Sequence, residues 1–262
     1  MTILITNDDG YRSWGLNTLY RATKEVFGND IVVVVPEGYQ SSTGMSFTFH
    51  KPLRVEKLVY EKMPCLAISG TPSDCVFMAL NYLFKNKITM VLSGVNNGMN
   101  AGMDAIYSSG TVSAAMCAAI FKIKSAAFSK DLWEESLDTE NKKEMDKVFP
   151  KLVYILNIIK NKGFPKGVEL LNVNFPKELK KSTKIKIVRA ERSVFENAVQ
   201  KEKDPRGKEY YWLYGTLKKN LDKIADLAAL LNGNITVTPI KLFASGEKDM
   251  SDVRSMFYDS KT

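Results

Sequence analysis

The sequence predicts a doubly wound, Rossmann-like α/β fold with a mostly parallel sheet, and three observations predict it. Ile31-Val-Val-Val-Val35 is an unbroken β-branched run ended by Pro36, the pattern of a strand buried on both faces. Segments with apolar residues at helical spacing alternate with runs of this kind along the first half of the chain. Loops rich in glycine, hydroxyls and amides follow the strands. Such alternation implies right-handed crossovers and a sheet covered on both faces, with ligands collecting outside the carboxyl ends of the strands.

The elements follow in order. Thr2 to Thr6 is apolar and β-rich, Trp14 to Phe27 has helical spacing, and Ile31 to Val35 is the second strand. Ser46 to Val59 alternates Phe47, Phe49, Leu53 and Val55 around His50-Lys51-Pro52, which predicts an inserted hairpin. Pro72, at the favoured first-turn position, opens a helix to about Phe84, and Ile88 to Leu92 is a further buried strand. A helix of small residues starts at Thr111 and hands over to a short strand, Ser125 to Phe128. Lys142 to Lys162 is a long amphipathic helix, followed by strands at Leu170 to Phe175 and Ile185 to Val188. Glu191 to Glu209 is polar and contains the turn signal Asp204-Pro-Arg-Gly207, after which Tyr210 to Tyr214 is an aromatic strand. Residues from about 185 to 238 are therefore expected to form an extended arm. The organisation expected is a core over 1–184 carrying the active site and a C-terminal oligomerisation extension over 185–262, whose terminal segments return to the core.

Composition narrows the chemistry. The 262 residues are 45% hydrophobic and 25% charged, enough for a globular core without staples. Three cysteines without C-x-x-C spacing argue against a disulfide framework or a zinc ribbon, so a reducing cytoplasm is the expected home. No leader-like segment and no run of about 18 apolar residues occurs, so neither secretion nor a membrane span is expected. His50 is the only histidine, which removes two-histidine metal sites and histidine phosphatases. No G-x-S-x-G elbow, phosphate-binding P-loop or G-x-G-x-x-G fingerprint is present. The net charge of +8 is carried by scattered lysines, a solvated surface whose field also draws anions. Carboxylates, hydroxyls, amides and glycines remain as working material.

Asn7-Asp8-Asp9-Gly10 comes directly after the first strand. Adjacent carboxylates repel, and a hard divalent cation relieves the repulsion; an Asx turn with Gly10 at positive φ accounts for the same tetrapeptide. Gln40-Ser-Ser-Thr-Gly44 and Ser93-Gly-Val-Asn-Asn-Gly-Met-Asn100 follow two more strands and offer oxygen atoms to complete a shell. Ser108-Ser-Gly-Thr111 precedes a helix, where backbone N–H groups bind phosphate, although an ordinary N-cap fits too. Together these specify metal-assisted phosphoryl chemistry.

The residues resemble those of the stationary-phase survival protein SurE family, the metal-dependent 5′-nucleotidases. The segments that carry the resemblance are Thr6 to Gly10 with Gly15, Gln40 to Gly44, Gly70-Thr-Pro-Ser-Asp-Cys75, Ser93 to Asn100 and Ser109-Gly-Thr-Val-Ser-Ala-Ala115. Asp204 to Gly207, Tyr210-Tyr-Trp212 and Ile235-Thr-Val-Thr-Pro239 extend it nearly to the end of the chain. The resemblance implies a SurE-type fold and one divalent ion per subunit, Mg2+ or Mn2+, bound by Asp8, Asp9, Ser41 and Asn96. Phosphate would be held by Asn96, Ser109, Gly110 and Thr111, with Ser108 competing with Ser109 for the contact. Substrates would be nucleoside 5′-monophosphates, with 3′-monophosphates and polyphosphate as further candidates, and the assembly a homodimer or homotetramer built through the arm. Asp8 and Asp9 are the expected catalytic residues, Asp8 acting on an attacking water or as a nucleophile; their adjacency, unlike D-x-D, favours water. The rival expectation is a non-catalytic nucleotide-sensing module. No membrane and no specific nucleic acid partner is expected.

Overall fold

The computed structural model describes residues 2–132, 138–242 and 247–258. Its elements are β1 (Thr2–Thr6), α1 (Trp14–Phe27), β2 (Ile31–Pro36), β3 (Val55–Tyr60), β4 (Met63–Ile68), α2 (Pro72–Met78) continued by one π-helical segment (Ala79–Leu83), and β5 (Ile88–Asn97). There follow α3 (Met103–Ser108), α4 (Gly110–Ile120), β6 (Lys124–Lys130), α5 (Asp138–Lys162), β7 (Leu170–Phe175) and β8 (Ile185–Ile187). The chain ends with β9 (Phe195–Lys203), β10 (Glu209–Leu217), α6 (Asp226–Leu231), β11 (Ile235–Ile240) and α7 (Glu247–Tyr258).

Nine strands form one sheet in the order β3-β4-β2-β1-β5-β6-β7-β11-β8. The six strands from β4 to β7 are parallel; β3 runs antiparallel to β4, and β11, antiparallel to β7, pairs in parallel with β8. Because strand side chains alternate, the apolar runs feed two cores. Ile3, Ile5, Val33, Val35 and Leu92 pack with α1 and α5, while Leu4, Val34 and Val91 pack with Cys75 of α2 and Ala114 and Cys117 of α4. The buried cysteines behave as small apolar residues; burial pushes the Cys117 thiol up to about 12. The capping box of Thr71 and Asp74, with Pro72 at the first turn, sets the start of α2.

Three expectations are corrected. The hairpin is displaced from Ser46–Val59: its strands are β3 and β4, its turn is Glu61-Lys62, both at positive φ, and β4 joins the main sheet. The strand expected to stop at Leu92 runs to Asn97, its register shifting between Ser93 and Asn96. The polar stretch from Glu191 to Glu209, for which no strand is expected, contains one, because Phe195–Lys203 pairs antiparallel with the aromatic strand in a separate two-stranded ribbon. The projecting part thus spans 195–217, since β8 and β11 lie in the main sheet. The side chain of Tyr214 lies outside the described set.

Candidate active site

The chain leaves β1 for β2 on one side and later returns to place β5 on the other, so the strand order reverses between β1 and β5. Crevices at such reversals, outside the carboxyl ends of the strands, take ligands. Asn7–Gly10 follows β1, and Asn96 and Asn97 close β5.

Both readings of Asn7–Gly10 hold, on different residues. Asn7 makes the turn: its Nδ2 donates to the Gly10 carbonyl at 2.9 Å, its Oδ1 accepts from the Gly10 N–H at 3.2 Å, and Gly10 has φ of +84°. That leaves the aspartates free of the turn. Asp8 is buried against the start of α4, where the Thr111 N–H donates to its Oδ2 at 3.0 Å and the Thr111 hydroxyl donates to its Oδ1. A carboxylate at this place also faces the positive end of the helix dipole. Burial raises the Asp8 carboxyl above the ordinary range, and the Thr111 bonds oppose that shift. Asp9 is pushed up to about 7, first by burial and then by the charge of Asp8, against the pull of the Asn97 backbone and the Ser13 hydroxyl. Asp9 Oδ2 is buried and meets no hydrogen-bond donor among the described residues.

Close backbone approaches bring the remaining segments in. Any Cβ at Gly15 of α1 would lie 1.8 Å from the Val95 carbonyl oxygen, so glycine lets α1 press on the end of β5. Gln40 donates its N–H to the Asp8 carbonyl at 2.8 Å, which sets Ser41, an exposed residue, one position from the pair. At Gly110 a Cβ would fall 2.8 Å from Asp8 Cβ and 3.0 Å from the Gln40 carbonyl. Three loops thus meet where only glycine fits.

Asn96 Nδ2 donates to the Gly98 carbonyl at 2.8 Å, which fixes the amide and leaves its oxygen to a ligand. Ser109 caps α4, its Oγ accepting from the Val112 N–H at 3.1 Å and keeping its own proton to give. Ser108 is exposed, and its hydroxyl donates back to the Asp104 carbonyl at 2.9 Å. His50 is exposed on the loop before β3. Sequence reasoning placed Gln40 and Asn97 in the candidate loops without giving either a role, and missed Ser13, whose signal is a serine just ahead of an apolar helical run.

The segment between Asn96 and Ser109 is tied down from below. Asn174 accepts from the Asn100 N–H at 2.8 Å and Asn172 donates to the Asn100 carbonyl at 2.7 Å. Asp226 accepts from the Gly102 N–H at 2.8 Å, and Asp104 accepts from the Val194 N–H at 2.9 Å at the root of the ribbon.

The donor set is two carboxylates, a hydroxyl and an amide oxygen, all hard oxygens, with one buried carboxylate oxygen unanswered; it fits a small divalent cation. No group of three or more His, Cys, Asp or Glu lies together among the described residues.

A family model described as survival protein SurE matches residues 3–197. The 5′-nucleotidase SurE of Hyperthermus butylicus is 39% identical over 241 residues, covering 92% of this chain and 84% of that protein. The 5′-nucleotidase SurE of Methanococcoides burtonii is 33% identical over 259 residues, covering 97% and 98%. The crystal structure of the SurE protein from Aquifex aeolicus superposes with a TM-score of 0.80 at 34% identity, covering 98% of this chain and 99% of that one.

Proposed function

The chain belongs to the SurE family, and from that premise we propose that it is a divalent-metal-dependent phosphatase acting on nucleoside 5′-monophosphates, releasing nucleoside and inorganic phosphate. The single observation that carries the proposal is the Asp8 carboxylate held by Thr111 at the start of α4, which joins the carboxylate pair to the phosphate-binding turn. Asp8, Asp9, Ser41 and Asn96 hold the ion, Mg2+ or Mn2+. Bound there, such an ion neutralises phosphate charge and polarises the phosphorus–oxygen bonds.

The chain's own groups do the rest. Ser109 donates a hydrogen bond from its hydroxyl to a phosphate oxygen, because Ser108 is committed to its own helix and the Thr111 hydroxyl to Asp8. Gly110 admits phosphate close to backbone, and Asn96 orients it from the β5 side. Each Asp8 oxygen keeps a second lone pair beyond its bond from Thr111, so the carboxylate aligns an attacking water and takes its proton. The Thr111 bonds hold that carboxylate still while charge moves in the transition state.

The core of residues 1–184 carries this site, and the 185–262 extension, which returns β8 and β11 to the core's sheet, builds a homodimer or homotetramer through its ribbon. No described helix is long and apolar enough to cross a membrane. Release of inorganic phosphate from a panel of nucleoside 5′- and 3′-monophosphates and polyphosphate, with and without chelator, tests the proposal. Metal-dependent release from 5′-monophosphates is expected; nucleotide binding without release would establish a sensing module instead.

A further inference from the structure

The midpoint of the loop from Asn96 to Ser109 is held by side chains of β6 and β7. Asn174 Oδ1 accepts from the Asn100 N–H at 2.8 Å, and Asn174 Nδ2 donates to the Asn100 carbonyl at 3.2 Å. One carboxamide thus meets both main-chain groups of Asn100, as the peptide groups of a neighbouring strand would. Asn172 Nδ2 donates to the same carbonyl at 2.7 Å, and Asn100 Nδ2 donates to Ser129 Oγ at 2.7 Å. All four residues are buried. Register adds a second link, because Ser129 stands between Asn96 of β5 and Asn174 of β7. Its backbone is therefore paired with a proposed metal ligand while its hydroxyl holds Asn100.

Asn100 lies between the two groups proposed to hold phosphate, Asn96 on one side and the turn from Ser109 to Thr111 on the other. Ala127 and Leu170, on the same face of the sheet, pack in an apolar cluster with α4, whereas beneath Asn100 that face turns polar. Buried amides are stabilising only when their donors and acceptors are matched, and the Asn174 carboxamide is matched on both sides. We propose that Asn174 is a positioning residue, which fixes the midpoint of the loop so that Asn96 and Ser109 keep the spacing that phosphate requires in the transition state. It acts through Asn100 and touches neither ion nor phosphate. The proposal rests on the phosphatase reading for what the loop holds, but the anchoring it names is independent of turnover.

Asn174→Asp in the intact chain tests it, because aspartic acid copies the carboxamide only while protonated, one oxygen accepting from the Asn100 N–H and the O–H donating to the carbonyl. Once ionised it has no proton to give, and its oxygen opposes the carbonyl. Of the elements packed around it, β7, β11 and α4 carry no charged side chain. Lys124 and Lys130 of β6 alternate with Ser129 onto the other face of the sheet, and Asp226 of α6 is bonded to the Gly102 N–H. The ratio of variant to wild-type kcat for AMP at saturating Mn2+ should be near one at about pH 5 and fall to about 10⁻² by about pH 9, the scale of a small misplacement, with KM little changed. Ser129→Ala, a smaller change, should lower kcat about fivefold at every pH, the size of one neutral hydrogen bond. A ratio that does not vary with pH, whether at one or below it, overturns the role of Asn174; if Asn174→Asp fails to fold, unchanged kcat in Ser129→Ala overturns it. A wild type that releases no phosphate refutes the phosphatase reading alone, and the anchor is then read from amide exchange over residues 98–108. Exchange there should be faster in Asn174→Asp than in wild type at about pH 9 and equal at about pH 5, and equal exchange at both overturns the anchor.

Discussion

At the β1–β5 edge most polar groups are bonded within the chain, but Asp9 Oδ2 and the Thr6 and Ser93 hydroxyls are buried with no partner among the described residues, whereas on the β9–β10 ribbon it is the apolar side chains that find little within the same chain. Asp8 has both oxygens held by Thr111, and Asn7, Gln40, Asn96 and Ser109 are each bonded locally. The ribbon instead leaves Trp212 63% and Leu213 84% exposed. Register puts Tyr211 and Leu213 opposite Lys201 and Val199 on one face, and Tyr210 and Trp212 opposite Glu202 and Gln200 on the other. A two-stranded ribbon alone is marginal in water, and a second copy of the chain would cover both faces at little cost. The contrast separates a region with buried oxygens left over, where an ion and a phosphate are proposed, from one with apolar side chains left over, where a second chain is proposed.

The largest expected effect is at Asp9. Asp9→Asn removes a charged ligand from a crevice while leaving the two cores intact, and metal-dependent phosphate release should drop by about 10³-fold, the scale of losing an electrostatic clamp on phosphate. A folded variant with near-normal turnover at limiting metal would remove the edge from the mechanism. Gly110→Val should follow, with a loss of about 10²-fold, because its Cβ meets Asp8 and the Gln40 carbonyl and shifts the carboxylate. Unchanged kinetics there would mean that phosphate and Asp8 do not depend on this contact. Thr111→Val keeps the shape and deletes one hydrogen bond to a charged group, for about a tenfold loss in kcat.

A smaller, pH-dependent effect comes from the pair. The Asp9 carboxyl is raised from 3.8 to about 7, so the cation-free fold prefers it protonated and loses that advantage as pH rises from about 4 through 7. A divalent ion needs the ionised form. The rise in melting temperature on adding Mn2+ should therefore grow between pH 5 and pH 8, as scanning calorimetry would report; a constant increment contradicts the account. On the ribbon side, light scattering should give a multiple of 29.4 kDa for the intact chain, and replacing 197–215 by a short turn should yield single chains. A mass near 29.4 kDa for the intact chain would mean that the ribbon is covered by something else.

What the sequence made legible follows from the same contrast. Buried strands announce themselves through unbroken β-branched runs such as Ile31 to Val35, and Asp8 and Asp9 stood out because repulsion between neighbours calls for an explanation. The true hairpin was hidden because its turn, Glu61-Lys62, adopts positive φ without glycine or asparagine, while Phe47 and Phe49 imitate strand alternation from a loop. The end of β5 was hidden because Ser93, Gly94, Asn96 and Asn97 have loop composition; there Gly94 is needed, since a Cβ would lie 2.2 Å from the Phe128 carbonyl oxygen. Phe195–Lys203 was illegible because a strand wet on both sides carries no apolar period. Gln40 and Asn97 act at the site through backbone N–H groups, which every residue but proline possesses.

The central claim is that a divalent ion sits on the carboxylate pair between β1 and β5, and calorimetric titration of Mn2+ into the metal-free protein tests it most directly. The account predicts one ion per chain for the wild type and no saturable binding for Asp9→Asn with its circular dichroism unchanged. Binding of Mn2+ to folded Asp9→Asn with the same stoichiometry and affinity would contradict it.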